Sequence, residues 1–173
     1  FLDDPRTDWL TEETKVKVQE LVDKMKYNQC GMKAPSLVVP DTSGNYIGLN
    51  QYKNEYLVLY FWSSTCGHCK KTTPVLDSVY QNLKKSHDIE IFTVCIDDKK
   101  KEKTFKDYLK EHNYTWVIGW GDKNYNDFRT KYNVFSTPTM YLLDKNKKII
   151  GKDLNPEMLE KIVTNMDKDK KKE

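Results

Sequence analysis

Two cysteines at positions 66 and 69, with a histidine between them, carry the sharpest chemical signal in the sequence, in the phrase Ser63-Ser64-Thr65-Cys66-Gly67-His68-Cys69-Lys70. A thiol pair so spaced can exchange disulfides if one member ionises near neutral pH. A thiol of ordinary pKa about 8.5 falls to roughly 3.5 to 7.5 at a helix N-terminus in a Cys-x-x-Cys setting. There the unpaired backbone N–H groups and the positive end of the helix dipole stabilise an anion. Cys66 is then the attacking sulfur, and Cys69, one turn on, is placed to resolve a mixed disulfide. His68, when protonated, adds a positive charge beside the thiolate and makes the disulfide a better oxidant. The same residue types could form half of a zinc site, but tetrahedral zinc takes four ligands, and no second Cys-x-x-Cys or His pair is present. No metal is expected.

The elements that must position this phrase are legible on either side of it. Residues 55–62 are apolar, aromatic and β-branched without Gly or Pro, which predicts a buried strand. After Pro74, apolar residues Val75, Leu76, Val79, Tyr80 and Leu83 recur at three- and four-residue spacing, which predicts a helix. Cys66 therefore falls where a strand ends and a helix begins.

Together with Phe61-Trp62, Pro74 and the downstream phrase Ser136-Thr137-Pro138-Thr139, the Cys-Gly-His-Cys motif resembles the thioredoxin superfamily, in particular its TlpA-like thiol-disulfide oxidoreductases. The resemblance runs over roughly residues 34–166. It implies an α/β fold, a thioredoxin-like sheet flanked by helices, with an N-terminal β-hairpin and an αβ insertion. It also implies that Pro138 is cis and faces the cysteine pair, leaving the Thr137 backbone free to pair with an extended substrate. Trp62, Thr65 and Gly67 join Thr137 and Pro138 as candidate substrate-binding residues, although for Trp62 core packing is the stronger reading. No cofactor is implied. The partners would be protein thiols or disulfides and a redox partner not identified by the sequence. The compartment implied is the bacterial cell envelope or periplasm, with tethering through a segment ahead of Phe1.

The chain departs from the family pattern at three places. Tyr60 stands where thioredoxin has a buried Asp, Thr72 where some TlpA-like reductases have a Glu, and Thr65 where a Trp is usual before the first Cys. Asp97 and Glu55 are the acids that could deputise in proton transfer. Two other readings compete with disulfide exchange. One is a binding module with a vestigial or structural Cys-x-x-Cys. The other is a peroxidase, whose Pro-x-x-x-Thr-x-x-Cys signature fails here at Leu59 and Ser63.

The remaining sequence fixes the class. At 173 residues, a chain suits one domain able to bury roughly 70 % of its unfolded surface without a disulfide scaffold. A net charge of +3 gives nucleic-acid binding little support, and the lysines of 99–103 and 168–172 read as solvated ends of elements. No run approaches the roughly 18 apolar residues of a membrane span. Of the other cysteines, Cys95 reads as a buried inert thiol in a strand over 90–96, and Cys30, beside Gly31, as exposed. A disulfide between them is the lesser alternative.

Along the chain, residues 1–33 read as an N-terminal helical extension, 34–167 as the thioredoxin-like domain and 168–173 as a charged tail. Thr11 caps a helix whose stripe of Val18, Leu21, Val22 and Met25 should pack on the following domain or on a leading one. A hairpin pairs 36–39 with 46–49 around Asp41-Thr42-Ser43-Gly44-Asn45. A helix with Phe105, Tyr108, Leu109 and His112 on its apolar face precedes a strand over 114–119. Asp122 caps a helix to Tyr132, with Tyr125, Phe128 and Tyr132 on one side. Strands over 139–143 and 147–151 follow, and Asn155 with Pro156 starts a final helix burying Leu159, Ile162, Val163 and Met166.

Overall fold

The computed structural model describes residues 5–121 and 128–170. It contains helix α1 (Glu12–Met25), a hairpin of β1 (Val38–Pro40) and β2 (Tyr46–Gly48), and β3 (Tyr56–Trp62) followed by α2 (Gly67–Leu83). Next come β4 (Ile89–Cys95), α3 (Glu102–Glu111), β5 (Val117–Trp120) and α4 (Phe128–Lys131). The chain closes with β6 (Thr139–Asp144), β7 (Ile149–Lys152) and α5 (Pro156–Lys170). Asp122 and Tyr125, read as the start of a longer helix, lie outside the described residues. The final helix runs to Lys170, into the stretch read as a charged tail.

The main sheet has the order β5-β4-β3-β6-β7, with β3, β4 and β5 parallel and β6 and β7 antiparallel to their neighbours. β3 is central, and its seven residues are all buried. Because side chains alternate across a strand, Tyr56, Val58, Tyr60 and Trp62 face the core shared with α2, α3 and α5. Leu57, Leu59 and Phe61 face the second core, with Val39 of the hairpin, Phe128 and Tyr132. A strand covered on both faces reads as an unbroken apolar run, not as an alternating one.

Local signals hold at most boundaries. The Thr14 N–H donates to Thr11 Oγ1 at 3.3 Å and the Met158 N–H to Asn155 Oδ1 at 2.8 Å. These are side-chain caps, each satisfying a backbone donor that the first turn leaves unpaired. Asp41 Oδ1 accepts the N–H groups of Ser43 and Asn45, each at 2.8 Å. Gly44 takes φ +90° in the same hairpin turn, a conformation that suits glycine.

Two expectations shift. The strand over 114–119 begins only at Val117, opposite Phe92, because Tyr114 and Trp116 leave the ladder and stack on each other, centroids 4.5 Å apart. The stripe on α1 does not pack down fully: Val18 is half-buried, but Leu21, Val22 and Met25 remain 52, 44 and 38 % exposed. Residues just beyond it do join the domain. Gly31 N–H donates to the Ile149 carbonyl of the outer strand β7 at 2.8 Å, and Ala34 N–H to the Lys147 carbonyl just before it at 2.7 Å.

Candidate redox site at the start of helix α2

Cys66 is the N-cap residue of α2, with extended backbone, and its sulfur accepts the Cys69 N–H at 3.3 Å. The helix thus uses a sulfur where Ser or Asp would ordinarily cap. Cys69 lies on the buried face with Thr73, Leu76, Tyr80 and Leu83. One turn of helix therefore separates a half-buried sulfur from one with no exposed surface. Both elements are needed for this: β3 delivers the chain to the end of the sheet, and the apolar stripe of α2 dictates the rotation that turns Cys69 inward.

The electrostatics follow from that asymmetry. Burial is the largest single influence on Cys66 and pushes its pKa up. It is outweighed by hydrogen bonds from the Cys69 thiol, the Thr137 side chain and the amides of Cys69 and His68, so the net direction is down. The Thr137 backbone acts the other way, since its carbonyl lies 3.3 Å from the Cys66 sulfur and takes the S–H of the neutral thiol. For Cys69, burial dominates and the bond to Cys66 adds to it, pushing its pKa up to about 12.

The Thr137–Pro138 peptide is cis. With Thr137 against Cys66, the fold brings together two phrases about seventy residues apart in sequence. Gly67, Thr65 and the His68 side chain are exposed beside the sulfur, while Thr137 and Pro138 are half-buried. Trp62 is different: it is 2 % exposed and packs against Phe105 and Tyr108 at centroid distances of 6.0 and 5.2 Å. It faces the core and so supports the site from beneath instead of lining a substrate surface.

Beneath Cys69 lie two hydroxyls, those of Thr73 and Tyr60. Thr73 Oγ1 donates to the Cys69 carbonyl at 2.7 Å, which leaves the Tyr60 hydroxyl to donate to Thr73 at 3.0 Å. Burial raises the Tyr60 pKa, so this phenol stays neutral. Glu55 precedes β3 and Cys66 follows it, so the whole length of the strand separates them and Glu55 cannot assist. Asp97 is near, buried against Ser63 and Ser64.

Thr73 and the two serines escaped the sequence reading. Thr73 carried a usable signal, four residues after Cys69 on the same helical face; the serines carried none.

Cys95 is fully buried and Cys30 exposed, and all four cysteines are free thiols. Burial, and then the nearby Asp97, raise the Cys95 pKa. Among the described residues, no three or more His, Cys, Asp or Glu side chains gather to hold a metal ion. Among the same residues, no helix is long and apolar enough to cross a membrane.

Known proteins of the same pattern sit beside this geometry. A family model described as thioredoxin-like matches residues 54–149. A protein named thiol-disulfide oxidoreductase ResA, from Bacillus cereus, is 30 % identical over 134 residues, covering 78 % of this chain and 75 % of that protein. A domain of a possible thiol-disulfide isomerase from Cytophaga hutchinsonii superposes with TM-score 0.72 at 33 % identity, over 84 % of this chain and 97 % of that one. The thioredoxin domain of a thiol-disulfide oxidoreductase from Bacteroides vulgatus gives TM-score 0.71 at 27 % identity, over 80 % and 97 % of the two chains.

Proposed function

Since this chain belongs to the thioredoxin-like family of thiol-disulfide oxidoreductases, we propose that Cys66 and Cys69 are its redox pair and that its substrates are protein thiols and disulfides. The observation that carries this reading is the split between the two sulfurs. One caps a helix, half-open to solvent and biased toward thiolate; the other is one turn inside, neutral and sealed.

In the reducing direction, the Cys66 thiolate attacks one sulfur of a substrate disulfide. That S–S bond breaks, a bond to Cys66 forms, and the departing substrate sulfur takes a proton. Cys69 then loses its proton and attacks the Cys66 sulfur; the bond between Cys66 and the substrate breaks, and the substrate sulfur it held leaves and takes a proton. Two electrons pass from the pair to the substrate, and the pair ends as a disulfide. The reverse steps oxidise a dithiol.

Attack can begin near neutral pH, but the resolving step must draw a proton from a thiol whose pKa is pushed up to about 12. That cost holds Cys69 in reserve until a mixed disulfide sits beside it. No organic cofactor or metal enters these steps. The net direction is set by the redox partner that recharges the pair.

Gly67, Thr65 and the backbone of Thr137 surround the exposed side of Cys66, which supports docking of an extended polypeptide along the Thr137–Pro138 loop. His68 tunes the couple: its amide already bears on Cys66, and its imidazole stands free in solvent. The compartment is the bacterial cell envelope, a reading supported by the TlpA-like pattern of the motif. Labelling of intact cells with a membrane-impermeant maleimide tests it, since protection of Cys66 until lysis would contradict it.

The decisive experiment is insulin-disulfide reduction by the parent and Cys66→Ser. The parent turns over and the variant does not; equal rates in the two would remove the enzyme claim. His68→Pro should make the couple more reducing, and an unchanged equilibrium with glutathione would exclude the tuning role.

A further inference from the structure

The turn that delivers the chain from β3 to Cys66 is Ser63-Ser64-Thr65, three small polar residues without the conformational restriction of proline. Ser63 and Ser64 are nonetheless 8 % and 0 % exposed. What holds them lies 33 and 34 residues away in sequence. Asp97, just past the end of β4 and 3 % exposed, accepts the Ser63 hydroxyl on Oδ1 at 2.5 Å. Its Oδ2 accepts the Ser64 N–H at 2.9 Å and the Ser64 hydroxyl at 2.5 Å.

The clamp is itself fixed. The Trp120 indole N–H donates to the Asp97 carbonyl at 2.8 Å, and the Ile96 N–H continues the ladder to the Trp62 carbonyl at 2.8 Å. From Ser63 the contacts run on toward Cys66. Ser63 Oγ accepts the Thr65 N–H at 3.2 Å, and the Ser63 carbonyl accepts the Cys66 N–H at 3.2 Å. The Lys101 ammonium donates to Thr65 Oγ1 at 3.0 Å, a second tie from the segment between β4 and α3.

Among the described residues, the side-chain oxygens of this buried acid, Asp97, are met by the Ser63 hydroxyl and by the Ser64 N–H and hydroxyl, and a carboxyl group so buried is costly to leave without such partners. We propose that Asp97 is a positioning residue for Cys66: it clamps the Ser63–Ser64 turn to the end of β4 and so sets where the capping sulfur stands over the first turn of α2. This rests on the assignment of Cys66 as the attacking sulfur. The site uses the acid in this reading as an acceptor with two oxygens, one for each serine, and not as a proton carrier.

The test compares Asp97→Ala, Asp97→Asn and the double variant Ser63→Ala/Ser64→Ala with the parent. Three quantities are read: thermal unfolding, the pH midpoint of Cys66 alkylation followed by peptide mass spectrometry, and insulin-disulfide reduction. Asp97→Ala should raise the Cys66 midpoint by half a pH unit or more and slow reduction at least tenfold. Asp97→Asn keeps the shape and one acceptor, and should stay within threefold of the parent. The serine double variant, which retains the acid, should shift in the same direction as Asp97→Ala.

Folded variants with an unchanged midpoint and rate would overturn the inference. So would a downward shift of the midpoint in Asp97→Asn, which would mean that the acid acts through its field. If Asp97→Ala does not fold, the other two variants decide. If the parent itself fails to reduce insulin, the enzyme reading falls, while the alkylation midpoints still judge the clamp.

Discussion

Separating the two sulfurs by single-cysteine variants gives the most direct check on the site, because the structure assigns them opposite shifts from different causes. In Cys66→Ala, Cys69 loses its hydrogen bond and its electrostatic coupling to Cys66, both of which raise its pKa, but keeps the burial that raises it most. A free thiol of pKa about 8.5 is roughly one-tenth thiolate at pH ~7.5. A thiol whose pKa stands at about 12 is ionised about 3,000-fold less at the same pH. Part of that ratio is lost with Cys66, but the lack of solvent exposure slows any alkylating reagent further. Cys69 in Cys66→Ala should therefore react with iodoacetamide at least about 100-fold more slowly than a free thiol at this pH. In Cys69→Ala, Cys66 loses the strongest hydrogen bond favouring its thiolate, so its alkylation midpoint should climb toward the free-thiol value. The assay is the rate of alkylation at each site against pH, followed by mass spectrometry of the modified peptides. Alkylation of Cys69 at a free thiol's rate, or a fall in the Cys66 midpoint in Cys69→Ala, would refute the account of burial and capping.

Two further outcomes follow from packing and linkage. A Cβ at Gly119 would overlap Val39 Cγ2 and stand 3.2 Å from the Thr93 carbonyl oxygen. Gly119→Ala should therefore destabilise by ~1–3 kcal/mol in urea unfolding, and no change in midpoint would mean that the hairpin yields freely. Cys69 has a raised folded-state pKa, so the stability it contributes is fully present below the ordinary thiol value of about 8.5 and is lost as pH rises through the folded value of about 12. Between pH ~8.5 and ~10, below the range of ordinary tyrosines, the reduced protein should lose stability with rising pH and Cys69→Ala should lose less; identical slopes would contradict the burial of a neutral thiol.

Much of the site was readable before any coordinates because its signals are local. The apolar run of β3, the three-and-four spacing of α2 and the cysteine between them involve neighbours within a turn or two of backbone. Asn155 as a cap and Asp41 in the hairpin turn are of the same kind, since each bonds to an amide within four residues. The contacts that complete the site are not local. Thr137 reaches Cys66 because β6 lies beside β3, and Asp97 reaches Ser63 and Ser64 because β4 lies on the other side. The resemblance to thioredoxins points to Thr137, whereas the sequence offers Asp97 only as an acid that could deputise in proton transfer.

The same division explains the shifted expectations. Trp62 has the composition of a site aromatic, yet strand alternation puts it on the face covered by α3, where Phe105 and Tyr108 seal it. The stripe on α1 has helical spacing, but spacing cannot say whether a partner surface lies within reach, and Leu21 and Val22 stay exposed.

What the sequence determined by itself, then, is the pair of sulfurs, the strand that leads to them and the helix that starts at them, because hydrophobic period and capping chemistry act within a few residues. Only the tertiary structure decided how different those sulfurs are. Burial and the meeting of β3, β4 and β6 at one end of the sheet set the desolvation of Cys69, the hydrogen bonds on Cys66 and the grip of Asp97 on the turn before Cys66, and these depend on distances that no local pattern encodes.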